Sequence, residues 1–270
     1  MHNILIGLDG GATKVSAWQI EQTLKGFVLG SIHSEKTYSS FPPFNPEFTP
    51  VDIQTQLEEI NSSIALTDSE QKQGQAFIHA FTDTISELSS DEEIIIGIGM
   101  PGIKTADGRG IAAMANGPRI PKFCDELEKA LSEKSIKLAK PIHHLGSDAD
   151  YCGLGEEYAD TGLFKSIENA YYLGGGTGAA DALKLEGNLV PLDETKSWLL
   201  KSWEMKNNDN IPLERYASAG GIQSIYSTYS GKSISSLNRD KIFPNIILDL
   251  ADQGDEAATE TFSDISFNLA

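Results

Sequence analysis

Cysteine, basic charge and long apolar runs are what this 270-residue chain has least of. Its two cysteines, Cys124 and Cys152, cannot build a disulfide framework, so the sequence predicts a reducing, cytoplasmic setting. With five histidines and two thiols at no ligand-like spacing, zinc is not expected. The most apolar short run, Ile94-Ile95-Ile96-Gly97-Ile98, is far below the ~20 residues that cross a bilayer, and a membrane is not an expected partner. Met1-His2-Asn3 enters an apolar segment with neither a basic region nor a cleavage site, so no secretion signal is read. Lys and Arg number 21 against 39 Asp and Glu, a formal charge of -18, which argues against a nucleic-acid surface. A free nucleotide is still allowed, because backbone N–H groups and usually Mg²⁺ hold it locally.

What is present is an ordinary globular composition, 40% hydrophobic and 22% charged, in a length comfortable for two lobes. Apolar runs at 4–8, 15–20 and 26–30 read as an antiparallel meander. Residues 40–50 read as loop. Pro50 then opens a helix over 51–63, and a second helix spans 73–88 with Ala76, Phe77, Ala80, Phe81, Ile85 and Leu88 on one face. A buried strand at 94–100 follows, then a helix from Pro121, a strand at 141–145, a helix at 148–159, strands at 170–173 and 179–183, and a last helix from Ala257. The order suits mixed sheets backed by helices. Two hairpins with glycine turns, one in each half, suggest a duplicated lobe.

Those two turns carry the chemistry. In Asp9-Gly10-Gly11-Ala12-Thr13-Lys14 the glycines permit positive φ and let backbone N–H groups approach a phosphate. Thr13 adds a hydroxyl, Lys14 a cation, and Asp9 a carboxylate able to orient a hydrated Mg²⁺. A plain hairpin turn is the competing reading. Gly174-Gly175-Gly176-Thr177-Gly178 is denser, since three consecutive glycines cost backbone entropy that a simple turn does not require. Neither turn fits the dinucleotide fingerprint or the Walker A loop. Between them lies Gly146-Ser147-Asp148-Ala149-Asp150 at a strand–helix junction. Asp148 is either a first-turn acid complementing the helix dipole or the base that takes a proton from an attacking hydroxyl.

With Gly97-Ile98-Gly99-Met100-Pro101-Gly102, Asn116-Gly117, Ser147 to Asp150 with Gly155-Glu156, and Leu173 to Gly178, these segments follow the order and spacing of the ROK family of bacterial sugar kinases, which the chain resembles to about residue 225. The resemblance implies an α/β fold of two actin-like, ribonuclease H-like lobes, with mixed sheets flanked by helices and a cleft between them. The lobes are expected at 1–117 and 118–270, the second shortened at its C-terminus. It implies ATP and Mg²⁺ as cofactors, an ATP site on loops 9–14 and 174–178, Asp148 as general base, and Asn116, Gly117, Ser147, Asp148 and Glu214 on the sugar. The expected activity is phosphorylation of a hexose or N-acetylhexosamine hydroxyl, with a homodimer as the expected oligomer.

Departures from that pattern are local. Ser147 stands where the family has asparagine, and between 184 and 213 there is neither the family's histidine clamp nor its cysteine-rich zinc motif. Glu204, in Trp203-Glu204-Met205, lies near the clamp's place and is a candidate carboxylate there, with a surface acid as the other reading. A late Gly-Gly strand that covers adenosine in the family is also missing, which admits polyphosphate as an alternative donor. A non-catalytic relative that senses a sugar or nucleotide is a second class of function. The family's DNA-binding regulators carry a helix-turn-helix ahead of the first turn, which here begins at residue 9. An activator ATPase of the same superfamily is a third, and its iron–sulfur cluster needs more thiols than one chain supplies.

Overall fold

The structure, a computed structural model, describes residues 3–60, 64–176, 178–191, 195, 199–202 and 204–270, all but the side chain of Asp148. Thr177, Trp203 and the expected helix end at 61–63 lie outside the described residues. The chain forms two compact units, Met1–Tyr151 with Tyr158–Gly162, and Cys152–Glu157 with Leu163–Ala270. The first unit therefore runs past the boundary at 117/118 expected from the sequence. Phe123, Leu127, Leu131, Ile142 and Leu145 explain why, since they are buried in the same cluster as Ile6, Leu8 and Phe81.

The first unit is built on β1 (Ile4–Gly10), β2 (Lys14–Gln22), β3 (Phe27–Thr37) and β4 (Ile94–Gly99), in the order β3-β2-β1-β4. The first three form the expected antiparallel meander, and β4 joins β1 in parallel, so the sheet is mixed. Alternate residues of β1, Ile6 and Leu8, point into the core. Helix α2 (Asp68–Leu88) covers that face with Phe77, Phe81, Ile85 and Leu88, each such burial stabilising by about 1.5–3 kcal/mol. It starts five residues before the expected 73 because Thr67 and Glu70 form a reciprocal capping box. Helix α1 (Ile53–Glu59) starts later than expected for the same kind of reason. Asp52, rather than Pro50, caps it by accepting from the N–H groups of Gln54 and Thr55. A short hairpin of β5 (Ile103–Lys104) and β6 (Ile111–Ala113) precedes α3 (Phe123–Glu133), whose Phe123, Leu127 and Leu131 line one buried stripe.

The strand expected at 141–145 is not a strand. Residues 137–146 run beside β4 and form backbone bridges with it at the two ends, Ile94–Leu138 and Gly99–Gly146. Between them the backbone of Ile142 is held by side chains: its N–H donates to Glu128 Oε1 at 2.7 Å and its carbonyl accepts from the Arg109 guanidinium. Helix α4 (Asp148–Tyr158) follows directly.

The second unit contains an antiparallel sheet of β7 (Ala170–Gly175), β8 (Ala179–Leu185) and β9 (Asn188–Val190). From Glu214 onward the described residues form α5 (Glu214–Ala217), α6 (Ala219–Ser230), α7 (Ile234–Arg239), α8 (Pro244–Asp252) and α9 (Glu256–Leu269). The last is the expected C-terminal helix, begun by Asp255, whose carboxylate accepts from Ala258 N–H. Tyr226, Leu237, Ile247 and Ala258 form one small core here, and Tyr216, Ile225 and Ile265 another. No helix among the described residues is long and apolar enough to cross a membrane.

Candidate active site

The first turn is a rigid object. Asp9 and Gly10 end β1, and Gly11 N–H donates to Lys14 O at 2.9 Å, closing the turn. Ala12 and Thr13 form its exposed tip, and among the described residues their N–H groups take no part in backbone bonding. Such free N–H groups at a tight turn are suited to a phosphate oxygen. The glycines act by close approach, not by the positive φ expected from sequence, for neither Gly10 nor Gly11 has it. A Cβ on Gly10 would stand 2.0 Å from Met100 Sδ and 2.7 Å from Phe81 Cζ.

Tyr38 holds the turn from beneath, a role its place at the end of β3 gave no spacing signal for. Its hydroxyl donates to Gly11 O at 3.0 Å and its N–H to Thr13 O at 3.1 Å. Its ring is fully buried and stacks on Phe77. Burial, then the charge of Asp9, pushes the phenol well above its usual range, so Tyr38 stays a neutral donor. Lys14 is directed elsewhere than a phosphate: its ammonium meets Glu35 Oε2 at 2.6 Å across the β2–β3 ladder, where Ser16 also donates to that carboxylate. Asp9 is exposed at the turn.

Strand register assembles the rest of this end of the sheet. Asp9 is paired with Gly99, and Gly99 is bridged to Gly146. Two residues later α4 begins at Asp148, with Ser147 buried at the junction and its carbonyl accepting from Tyr151 N–H at 3.1 Å. The backbone of Asp148 thus starts a helix at the sheet end that carries the Asp9 turn. Lys104 Nζ knits the neighbouring loop, donating to Met100 O at 2.6 Å and Gly102 O at 2.8 Å. Gly102 is the one glycine of these segments that needs a left-handed backbone, at φ 89°, with Ala113 O only 2.4 Å from any Cβ. Ala12 and Thr13 share a cavity of about 260 Å³ with Asn116 and Gly117. Asn116 is exposed, while Gly117 is buried with Met114 Sδ 2.7 Å from where a Cβ would be.

The second turn lies in the other unit and is built differently. Gly174 and Gly175 end β7, and Gly176 N–H donates to Gly178 O at 2.8 Å. Gly176 O accepts from Ala219 N–H at 2.9 Å, which ties the turn to the start of α6. A Cβ on Gly175 would stand 2.0 Å from Ala217 O. Glu214, expected on the sugar, is bound here instead: its Oε1 accepts from Ala179 N–H at 3.0 Å, beside Gly178. Glu204 likewise turns inward to its own loop, accepting from Lys201 N–H at 3.1 Å.

No family profile matches the chain, and no curated protein matches it in sequence. Solved structures match it in fold. A ROK family glucokinase from Streptomyces griseus, in complex with glucose and AMPPNP, superposes with a TM-score of 0.62 at 15% identity, covering 97% of this chain and 75% of that one. An inorganic polyphosphate/ATP-glucomannokinase from Arthrobacter sp. strain KM gives 0.54 at 18%, over 83% of this chain and 71% of that one. A ROK family transcriptional regulator, a homologue of the E. coli MLC protein, gives 0.54 at 13%, over 98% and 60%. The chain shares the fold of these ROK family and glucomannokinase structures.

Proposed function

We propose that this protein transfers the γ-phosphoryl group of ATP to a hydroxyl of a hexose or N-acetylhexosamine, with Asp148 as general base. The observation that carries the reading is the register Asp9–Gly99–Gly146, which brings the first glycine turn and the start of α4 to one end of one sheet. In the reaction the acceptor hydroxyl loses its proton to Asp148, its oxygen bonds to the γ-phosphorus, and the bond from that phosphorus to the ADP oxygen breaks. Ala12 and Thr13 N–H groups, with the turn at 174–178, hold the donor phosphates. Asp9 would hold Mg²⁺ through water, and the ion would supply charge neutralisation along the phosphates. Asn116, Gly117 and Ser147 meet the sugar.

The test is ATP turnover against a sugar panel. Asp148→Asn is expected to lower kcat by about 10²–10⁴ with little change in KM for ATP. An active Asp148→Asn variant removes the base. Polyphosphate is compared as donor in the same assay. A sugar- or nucleotide-sensing relative is the second reading, favoured by the engagement of Glu214 and Glu204 with backbone N–H groups of their own unit. Calorimetric sugar binding without any phosphoryl transfer establishes that reading instead.

A further inference from the structure

The cavity beside the first turn contains a polar group that nothing in the phosphoryl transfer uses. Gln73, on α2, is only 5% exposed and lines the cavity. Its Oε1 accepts from Asn45 N–H at 2.9 Å. A backbone N–H can only donate, so this bond fixes which end of the amide is oxygen and leaves Nε2 as the other end. Among the described residues Nε2 has no hydrogen-bond partner, and it is not sealed from the cavity. Nε2 therefore faces the cavity as a fixed donor, open to water or to an acceptor on a molecule that enters.

The remaining walls say what enters. Phe44, Phe48 and Phe77 are apolar, and Phe77 is itself held in place by the stacked ring of Tyr38 at 3.6 Å. Thr13 and Asn116 join the cavity to the turn and to the expected sugar-binding segment. No lining residue is charged, so away from the turn at Ala12 and Thr13 the cavity offers no ion-pair partner to a phosphate, a carboxylate or an ammonium group. At about 260 Å³ it lies just below the ~300–1,000 Å³ of ordinary small-molecule sites, a size for a substituent and part of a ring. A group with one carbonyl oxygen and one apolar end satisfies both a fixed N–H donor and aromatic walls. A hydroxyl supplies no apolar end.

Resting on the kinase reading above, we propose that this cavity selects an N-acylated amino sugar, with Gln73 Nε2 donating to the acyl oxygen and the acyl methyl against the phenylalanines. The test compares N-acetylglucosamine and N-acetylmannosamine with glucose, mannose and glucosamine, by turnover with ATP and by calorimetry. The wild type is expected to favour the acetylated sugars by about tenfold or more in kcat/KM. Gln73→Glu keeps an oxygen for Asn45 N–H but replaces the donor with an acceptor. It is expected to lower the acetyl-to-hexose preference about tenfold, chiefly through KM. A Gln73 that merely holds the Asn45 loop predicts no change in that preference. Equal turnover of glucose and N-acetylglucosamine by the wild type overturns the inference and leaves the kinase standing. Selective binding of the acetylated sugars with no turnover overturns the kinase reading and leaves the cavity's assignment standing. Absence of both binding and turnover with the acetylated sugars overturns the inference, whether or not the variant folds.

Discussion

The two units carry a glycine turn each, yet they are stabilised in different ways. Unit one, Met1–Tyr151 with Tyr158–Gly162, gathers its buried apolar residues into one continuous cluster from Ile6 to Leu145. Its turn is gripped from below by Tyr38, whose ring belongs to that cluster. Among the described residues, unit two spreads its clustered buried apolar side chains over two small groups. Its turn is held by backbone hydrogen bonds and the Glu214 carboxylate. On the kinase reading, the turn of the first unit is preorganised by packing and that of the second by a few polar contacts open to local fluctuation.

The contrast is most easily broken at the buried cation of unit one. Arg119 is 1% exposed, donates to Glu70 from Nε at 2.7 Å and Nη2 at 2.9 Å, and also meets Glu59. Arg119→Met strands a buried carboxylate and is expected to cost about 3–5 kcal/mol, read by urea unfolding. Burial pushes the Glu70 carboxyl up, but Arg119 and Thr67 outweigh it and hold the group below its ordinary 4.5. A lowered folded-state value contributes stability that is present above the unfolded value and lost as pH falls through the folded one. The difference between wild type and variant should therefore be largest near neutrality and shrink as pH falls, because acid relieves the variant's stranded carboxylate before it discharges the paired one in the wild type. A shift confined to unit two would contradict the division.

Gly175→Ala makes the converse test. The new Cβ meets the backbone oxygen of Ala217 at 2.0 Å, which cannot move without displacing the end of α5 from β7. An expected loss of about 1–3 kcal/mol should appear as faster amide exchange in β7 and β8, with β1 and β4 unchanged.

Most of this architecture was legible because it follows from pattern. The meander, the α2 stripe and the order of turns were written in period and in glycine placement. What was not legible depends on which side chain reaches which backbone group. The stretch at 141–145 has a strand's composition, but Arg109 and Glu128 take the bonds of Ile142 that β4 would have taken. Lys14 has a phosphate ligand's position and a salt-bridge partner in Glu35, twenty-one residues away. Gln73 sits in a helix pattern as one more polar residue, and only the fold turns it toward a cavity. Glycine conformation was misread for a related reason: sequence shows that a side chain is absent, whereas Met100 and Phe81 show why.

A smaller change sharpens the comparison at the first turn. Tyr38→Phe keeps the ring packed on Phe77 and removes only the hydroxyl that donates to Gly11 O. The loss should be about 1 kcal/mol in stability, because one carbonyl loses its partner while the core stays filled. On the kinase reading, KM for ATP should rise severalfold with kcat less affected, as the turn loosens without losing a reacting group. An unchanged KM would mean that the ring alone sets the turn.

The mildest test changes no residue and uses the one cysteine in each unit. Cys124 in α3 is fully buried, and burial drives its thiol to about 12, with Arg109 opposing that rise. Cys152 in α4 is half-buried. Because the thiolate is the reactive form, a maleimide at neutral pH should label Cys152 in the native protein and leave Cys124 untouched until the first unit unfolds. Mass spectrometry along a urea gradient then reports on one core alone. If Cys124 labels at the same urea concentration at which amides of β7 and β8 lose protection, the two units melt together. If it labels only at higher urea, the single continuous core is the more stable of the two, as its packing predicts.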